Sequence, residues 1–212
     1  MSLFLGKIHF WLFNKILWFE GLEDEIIKIA KDEGLDVLQL KKEIEGKYGT
    51  KIPNKPLEEI IDTSNIHVWL QEKIHSSEGK IAAWTTILID NNDEVKEKLE
   101  QVYINQGVKA AHEVKEEEII LNSAEDIFNK VNDYILDGMP CDRVNEIINS
   151  NENCVEWTRR ICVHKNIWDN EKGDVNYFYY LRDLWIKAFV NEVNPEFEHV
   201  EGNNGIKSII RK

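Results

Sequence analysis

The chain has 212 residues, with 26 Lys and Arg against 39 Asp and Glu, a formal net charge of −13. Its 42% hydrophobic content is enough to bury a core, which excludes a chain disordered throughout. The acidity argues against nucleic acid or an anionic membrane as the main partner, because both reward clustered Lys and Arg.

The N-terminal stretch Leu3-Phe4-Leu5, then Ile8 to Phe19, is apolar. Lys7, His9, Asn14 and Lys15 interrupt it, no basic region precedes it and no small-residue cleavage site follows. It reads as a buried first helix of a cytoplasmic protein, from about residue 3 to Gly21, with Leu22–Asp32 continuing or restarting it. Asp36 caps a helix over Val37–Tyr48. Gly49 to Pro56 is a loop, and Pro56 opens Leu57–Ile61. Caps at Asp62-Thr63-Ser64-Asn65 start a long helix from Ile66 to about Ile89. A further helix covers Glu94–Lys115. Residues 1–115 therefore form a helical bundle, and 116–122, with Glu116-Glu117-Glu118, reads as a linker.

Residues 123–212 have a different texture. Ser123 caps Ala124–Leu136, and Pro140 stands at the start of a helix over Cys141–Asn149. Asn151–Asn153 is a turn. Cys154–His164 alternates as a strand, with Val155, Trp157, Ile161 and Val163 on the apolar phase. Gly173-Asp174 caps a helix to about Val193. Phe197–Val200 and Ile206–Ile210 flank Glu201-Gly202-Asn203-Asn204-Gly205 as a hairpin. The fold class is α+β, mostly α: an N-terminal helical bundle followed by a small antiparallel sheet covered by helices.

The first and fourth helices carry an internal repeat. Lys7–Gly21 laid over Asn65–Gly79 matches at 8 of 15 positions, including His9/His67, Trp11/Trp69, Lys15/Lys73, Glu20/Glu78 and Gly21/Gly79. Eleven helical steps from His to Glu turn about 1100°, so His and Glu share one stripe roughly 16 Å apart. That stripe is apolar, whereas Lys15 and Lys73 point elsewhere and the two Trp lie at the flank. Antiparallel packing pairs His9 with Glu78 and Glu20 with His67 without like-charge contact. His9, Glu20, His67 and Glu78 then form a polar cluster suited to hydrogen-bonded core pairs or to a divalent metal. Gly79 inside a helix marks a close approach by a helix or a ligand.

Cys162 and His164 share a face if the strand runs through them, placing a thiol beside a base or two metal ligands together. Cys141 after Pro140 is a second thiol at a helix start. The odd count of three Cys fits free thiols in a reducing compartment. In the last helix, Arg182 falls among Phe178, Leu181, Trp185 and Phe189, so it needs an anionic partner: an internal carboxylate such as Asp142 or Glu156, or an acidic substrate. No GxGxxG, GxxxxGK[ST], HExxH, GxSxG or EF-hand loop is present. The sequence thus suggests a small acidic ligand or metal held between the two parts, with Cys162, His164 and Arg182 as the catalytic candidates. The competing reading is a non-catalytic protein that docks through its Trp-rich first helix, onto a partner or as a homo-oligomer.

Overall fold

The computed structural model describes residues 5–202 and 205–212. The expected helix start at Leu3 and Phe4, and Asn203-Asn204 of the hairpin loop, lie outside them. Helix α1 (Lys7–Asp32) is continuous through Gly21. Gln106 approaches there, and its side-chain amide donates to the Trp18 carbonyl at 2.8 Å. Helix α2 (Val37–Tyr48) starts on Asp36, which accepts from the Gln39 amide at 3.0 Å, and stops at left-handed Gly49. A single turn, α3 (Leu57–Ile60), leads into α4 (Ile66–Asn91). From Ser77 to Thr86 every residue of α4 is buried, so it is the central helix of the fold.

Helices α1 and α4 run parallel. His9 meets His67, Phe13 lies 6.2 Å from Trp69, Glu20 pairs with Lys80 and Glu23 with Trp84. The antiparallel packing expected from the repeat is therefore overturned. That expectation avoided like-charge contact between the glutamates but left out Lys80. Lys80, 0% exposed, lies 2.7 Å from Glu20 and 3.2 Å from Glu23 and neutralises them, while Glu78 is engaged by His164, so Glu20 and Glu78 do not meet. The Ile52 amide also donates to Glu20. Residues 33–65, with α2 and α3, supply the connection that parallel neighbours require.

Helix α5 (Lys96–Glu116) follows a short 3-10 turn, and α6 (Ala124–Tyr134) is capped by Ser123, whose hydroxyl accepts from the Asp126 amide at 3.0 Å. The helix expected over Cys141–Asn149 is not formed. A 3-10 turn over Pro140–Asp142 ends at left-handed Arg143, and the chain then extends as β1 (Asn145–Asn151). Pairing with β2 (Cys154–Arg159) outweighs the local helical pattern, with a bulge near Ile148. Strand β2 stops at Arg159, earlier than the alternation suggested, and a short helix α7 (Lys165–Asn170) begins just after His164. The last helix α8 (Val175–Val193), capped by Asp174, precedes the hairpin β3 (Phe197–Glu201) and β4 (Lys207–Arg211). The sheet order is β1-β2-β4-β3, antiparallel throughout.

The architecture is α+β, mostly α. The inner face of the sheet, with Val155, Trp157, Phe197 and Ile209, packs into the same hydrophobic core as α1, α4, α5, α6 and α8. The two halves are thus joined by one core. Their closest join is α5 against α8, where a Cβ on Gly107 would land on the Trp185 carbonyl oxygen. At Gly79 the close approach read from the sequence is made by the Tyr48 ring. Gly46 in α2 is exposed, and a methyl group added there would meet nothing within 4 Å. We therefore predict that Gly107→Ala lowers unfolding free energy by about 1–3 kcal/mol through overpacking against backbone. Gly46→Ala is expected to be neutral or stabilising, by up to about 1 kcal/mol. Urea titrations of both variants check the contrast.

Candidate functional site

The first candidate set is not brought together. His9 Nε2 lies 3.4 Å from His67 Nε2, while Gly6 donates its amide to His9 Nδ1 at 2.9 Å. Glu20 is tied to Lys80 and Ile52, and Glu78 turns to the opposite side of α4 to meet His164. The parallel pairing brings His9 beside His67 rather than Glu78, and Glu20 is taken up by Lys80 rather than by His67. Among the described residues no group of three or more His, Cys, Asp or Glu side chains is placed to hold a metal ion.

The second candidate set is rearranged rather than dispersed. Cys162 and His164 do not share a strand face, since the chain has left the sheet before reaching them. Cys162 is exposed and His164 is 1% exposed at the N-cap of α7. The His164 ring is held between two carboxylates, with Nδ1 2.7 Å from Glu78 and Nε2 3.0 Å from Asp137. Arg182 donates to the same Asp137 oxygen at 3.0 Å, and also to the Leu136 carbonyl. The internal partner of Arg182 is thus Asp137, not Asp142 or Glu156. Phe178 and Tyr179 close edge-on over the imidazole.

Burial works against the charged forms, but Arg182 and the His164 hydrogen bond hold the Asp137 carboxyl well below the usual carboxylate range. Burial lowers the His164 pKa, and the charge of Glu78 with the hydrogen bond to Asp137 outweighs it, leaving the pKa raised. With both ring nitrogens facing carboxylates, the geometry and the raised pKa favour an imidazolium that donates twice. It has no free nitrogen to act as a base toward Cys162. The neighbour of that thiol is Tyr179, whose hydroxyl donates to Sγ at 3.1 Å. Burial opposes the thiolate, but this hydrogen bond and the amides of His164 and Lys165 bring the Cys162 pKa below its ordinary value.

Asp137, Arg182 and Tyr179 also line a narrow cleft of about 40 Å³ between α6, α8 and the sheet, walled by Phe128, Trp157 and Ile186. Two further cations reach it. Lys207 from β4 is bonded to Asp183, and Arg159 from the end of β2 stacks with its guanidinium carbon 3.5 Å from the Tyr179 ring centroid. Unlike Arg182 and Lys207, Arg159 has no carboxylate pair among the described residues. Nothing in the sequence marks Asp137, Arg159 or Lys207. Asp137 sits in a loop, and the two cations come from strand positions about fifty residues apart that only sheet pairing brings together.

The Trp-rich side of α1 is engaged within the chain: Trp11 donates to Asp133 at 2.9 Å and Trp18 packs edge-on to Tyr134 of α6. Among the described residues no helix is long and apolar enough to cross a membrane. No protein-family model matches the chain, and no curated protein sequence or solved structure matches it either.

The raised folded-state pKa of His164 sets the sign of its pH dependence. Its stabilising contribution is full below about 6.5, the unfolded value, and is lost as pH rises through the folded value. Ring-nitrogen NMR at pH 7 is expected to show His164 doubly protonated; a neutral tautomer at that pH contradicts the assignment. For the thiol, alkylation at neutral pH is expected to be faster at Cys162 than at exposed Cys141, and Tyr179→Phe should reduce the difference. Equal rates in the wild type would count against thiolate stabilisation.

Proposed function

We propose that this protein binds a small anionic ligand, a carboxylate or phosphate on an apolar or aromatic body, in the cleft between α6, α8 and the sheet. The observation that carries the reading is Arg159. In a chain of net charge −13, this cation stands at a cleft already lined by Arg182 and Lys207, stacked on Tyr179 and without a carboxylate of its own. Stacking pre-orients a guanidinium, and its fork suits the planar recognition of carboxylate or phosphate oxygens. Trp157 and Phe128 give the apolar body a surface, as small-ligand sites commonly do. Asp137, held ionised by Arg182 and His164, sets a negative limit at the cleft wall and so orients the anionic end toward Arg159 and Lys207. Chemistry on the ligand would draw on the low-pKa thiol of Cys162 next to Tyr179, with His164 and Arg182 acting as positioning groups. A reducing compartment such as the cytoplasm accords with this chemistry, since it would keep the three free thiols reduced.

The test uses benzoate and phenyl phosphate as probes. Titration followed by NMR is expected to give saturable shifts at the Trp157 indole and the Arg159 side chain, weakening with added salt. Arg159→Ala should weaken binding about tenfold, equivalent to about 1.4 kcal/mol. No saturable shift, or equal affinity in the variant, would overturn the reading.

A further inference from the structure

Among the described residues, three Lys and Arg side chains are nearly sealed from solvent: Lys80 at 0% exposed, Lys15 at 5% and Arg182 at 8%. Lys80 rests on Glu20 and Glu23, and Arg182 on Asp137. Lys15 differs. Among the described residues no ion pair or hydrogen bond holds its ammonium, which instead sits 3.9 Å from the centroid of the Trp11 ring. The carboxylates it feels are already engaged: Asp133 by Trp11 and Lys130, Asp137 by Arg182 and His164. The nearby positive charge of Arg182 adds to the strain on a second cation.

An amine in this setting is activated as a nucleophile, because desolvation and a neighbouring cation both favour its neutral form. Burial is the larger cause here, and it pushes the Lys15 amine down to about 8, with Arg182 lowering it further and Asp137 and Asp133 opposing. At pH 7 that leaves about one amine in ten neutral, against roughly one in 2,500 for a lysine of ordinary pKa. The indole that covers Lys15 is also a wall of a groove of about 440 Å³, shared with Asn14, Trp18, Asp133 and Tyr134. The repeat supplies an internal comparison. Lys73 lies 5.3 Å from the Trp69 ring in the matching arrangement on α4, but it is only half-buried.

We propose that Lys15 is a carbonyl-reactive amine, a site at which a small aldehyde or ketone entering past Trp11 forms an imine. The neutral nitrogen adds its lone pair to the carbonyl carbon. One proton passes from nitrogen to the former carbonyl oxygen to give the carbinolamine; the nitrogen lone pair then expels that oxygen, which takes the second nitrogen proton and leaves as water, giving the neutral C=N bond. No oxidant or reductant is consumed. The site is separate from the anion cleft, so the two proposals fail independently.

The experiment is competitive reductive alkylation of the wild-type chain with limiting propanal and cyanoborohydride, which reduces the imine as it forms. Peptide mass spectrometry then reads modification at each lysine. At pH 7 Lys15 is expected to be modified at least about tenfold ahead of Lys73, with a rate that rises to a plateau with a midpoint near 8. Modification at Lys15 equal to or slower than at Lys73 would overturn the proposal. Lys15→Arg keeps the charge and should abolish the fast-labelled peptide while leaving benzoate binding at the Arg159 cleft intact. If that variant does not fold, the comparison of Lys15 with Lys73 in the wild type still decides. Persistence of an equally fast-labelled lysine in a folded Lys15→Arg chain would also refute it.

Discussion

A charge buried without a counter-charge costs several kcal/mol, and removing one partner of a buried pair is correspondingly destabilising. In this protein that constraint falls on Asp137. Its carboxylate receives Arg182 from α8 and His164 from the start of α7, and His164 in turn engages Glu78 in the middle of α4. Four segments far apart in the chain meet in one hydrogen-bonded chain of alternating charge. If any of the four moved away, it would leave the next charge exposed to an apolar core. The network therefore fixes how the last helix and the sheet seat against the central helix, beyond what hydrophobic contact alone specifies.

The second buried network explains the direction of the first helices. Lys80 neutralises Glu20 and Glu23 at the α1–α4 contact, and Trp84 donates to Glu23 at 3.3 Å. This arrangement releases Glu78 to face the other way, toward His164. The two networks are consequently linked within one turn of α4, through Glu78 and Lys80, which explains how a central helix can carry charges at positions that are 0% and 2% exposed. Arg159, Arg182 and Lys207 gather where the C-terminal sheet meets α6 and α8, and they give the cleft its electrostatic character.

Much of the fold is legible in the residues. Caps at Asp36, Ser123 and Asp174 mark real helix starts, because a short polar side chain that accepts a first-turn amide acts locally. The alternation of Val155 and Trp157 marks a real strand, and both residues face the core. Where local signals are ambiguous the sequence misleads. Residues 145–151 pair in a hairpin instead of continuing a helix from Pro140, and Cys162 and His164 lie beyond the strand expected to align them. Lys15, read as pointing away from the apolar stripe, is nonetheless buried, with the Trp11 ring 3.9 Å from its ammonium.

The chemistry-bearing residues divide in the same way. His164 and Arg182 are visible because a polar residue within an apolar pattern requires a partner, and that requirement is readable from spacing. Which partner answers it is not readable, since Asp137 and Glu78 lie 27 and 86 residues from His164. The sequence by itself determined the α+β composition, the helix and strand starts that rest on local hydrogen bonding, and the presence of inward-facing charges. The tertiary structure alone decided the parallel pairing of α1 with α4, the identity of each ion-pair partner, and the meeting of Arg159 with Lys207 at one cleft. The physical reason is range: capping and periodicity act within a few residues, whereas desolvated charges are satisfied by whichever opposite charge the packing of distant segments brings within about 3 Å.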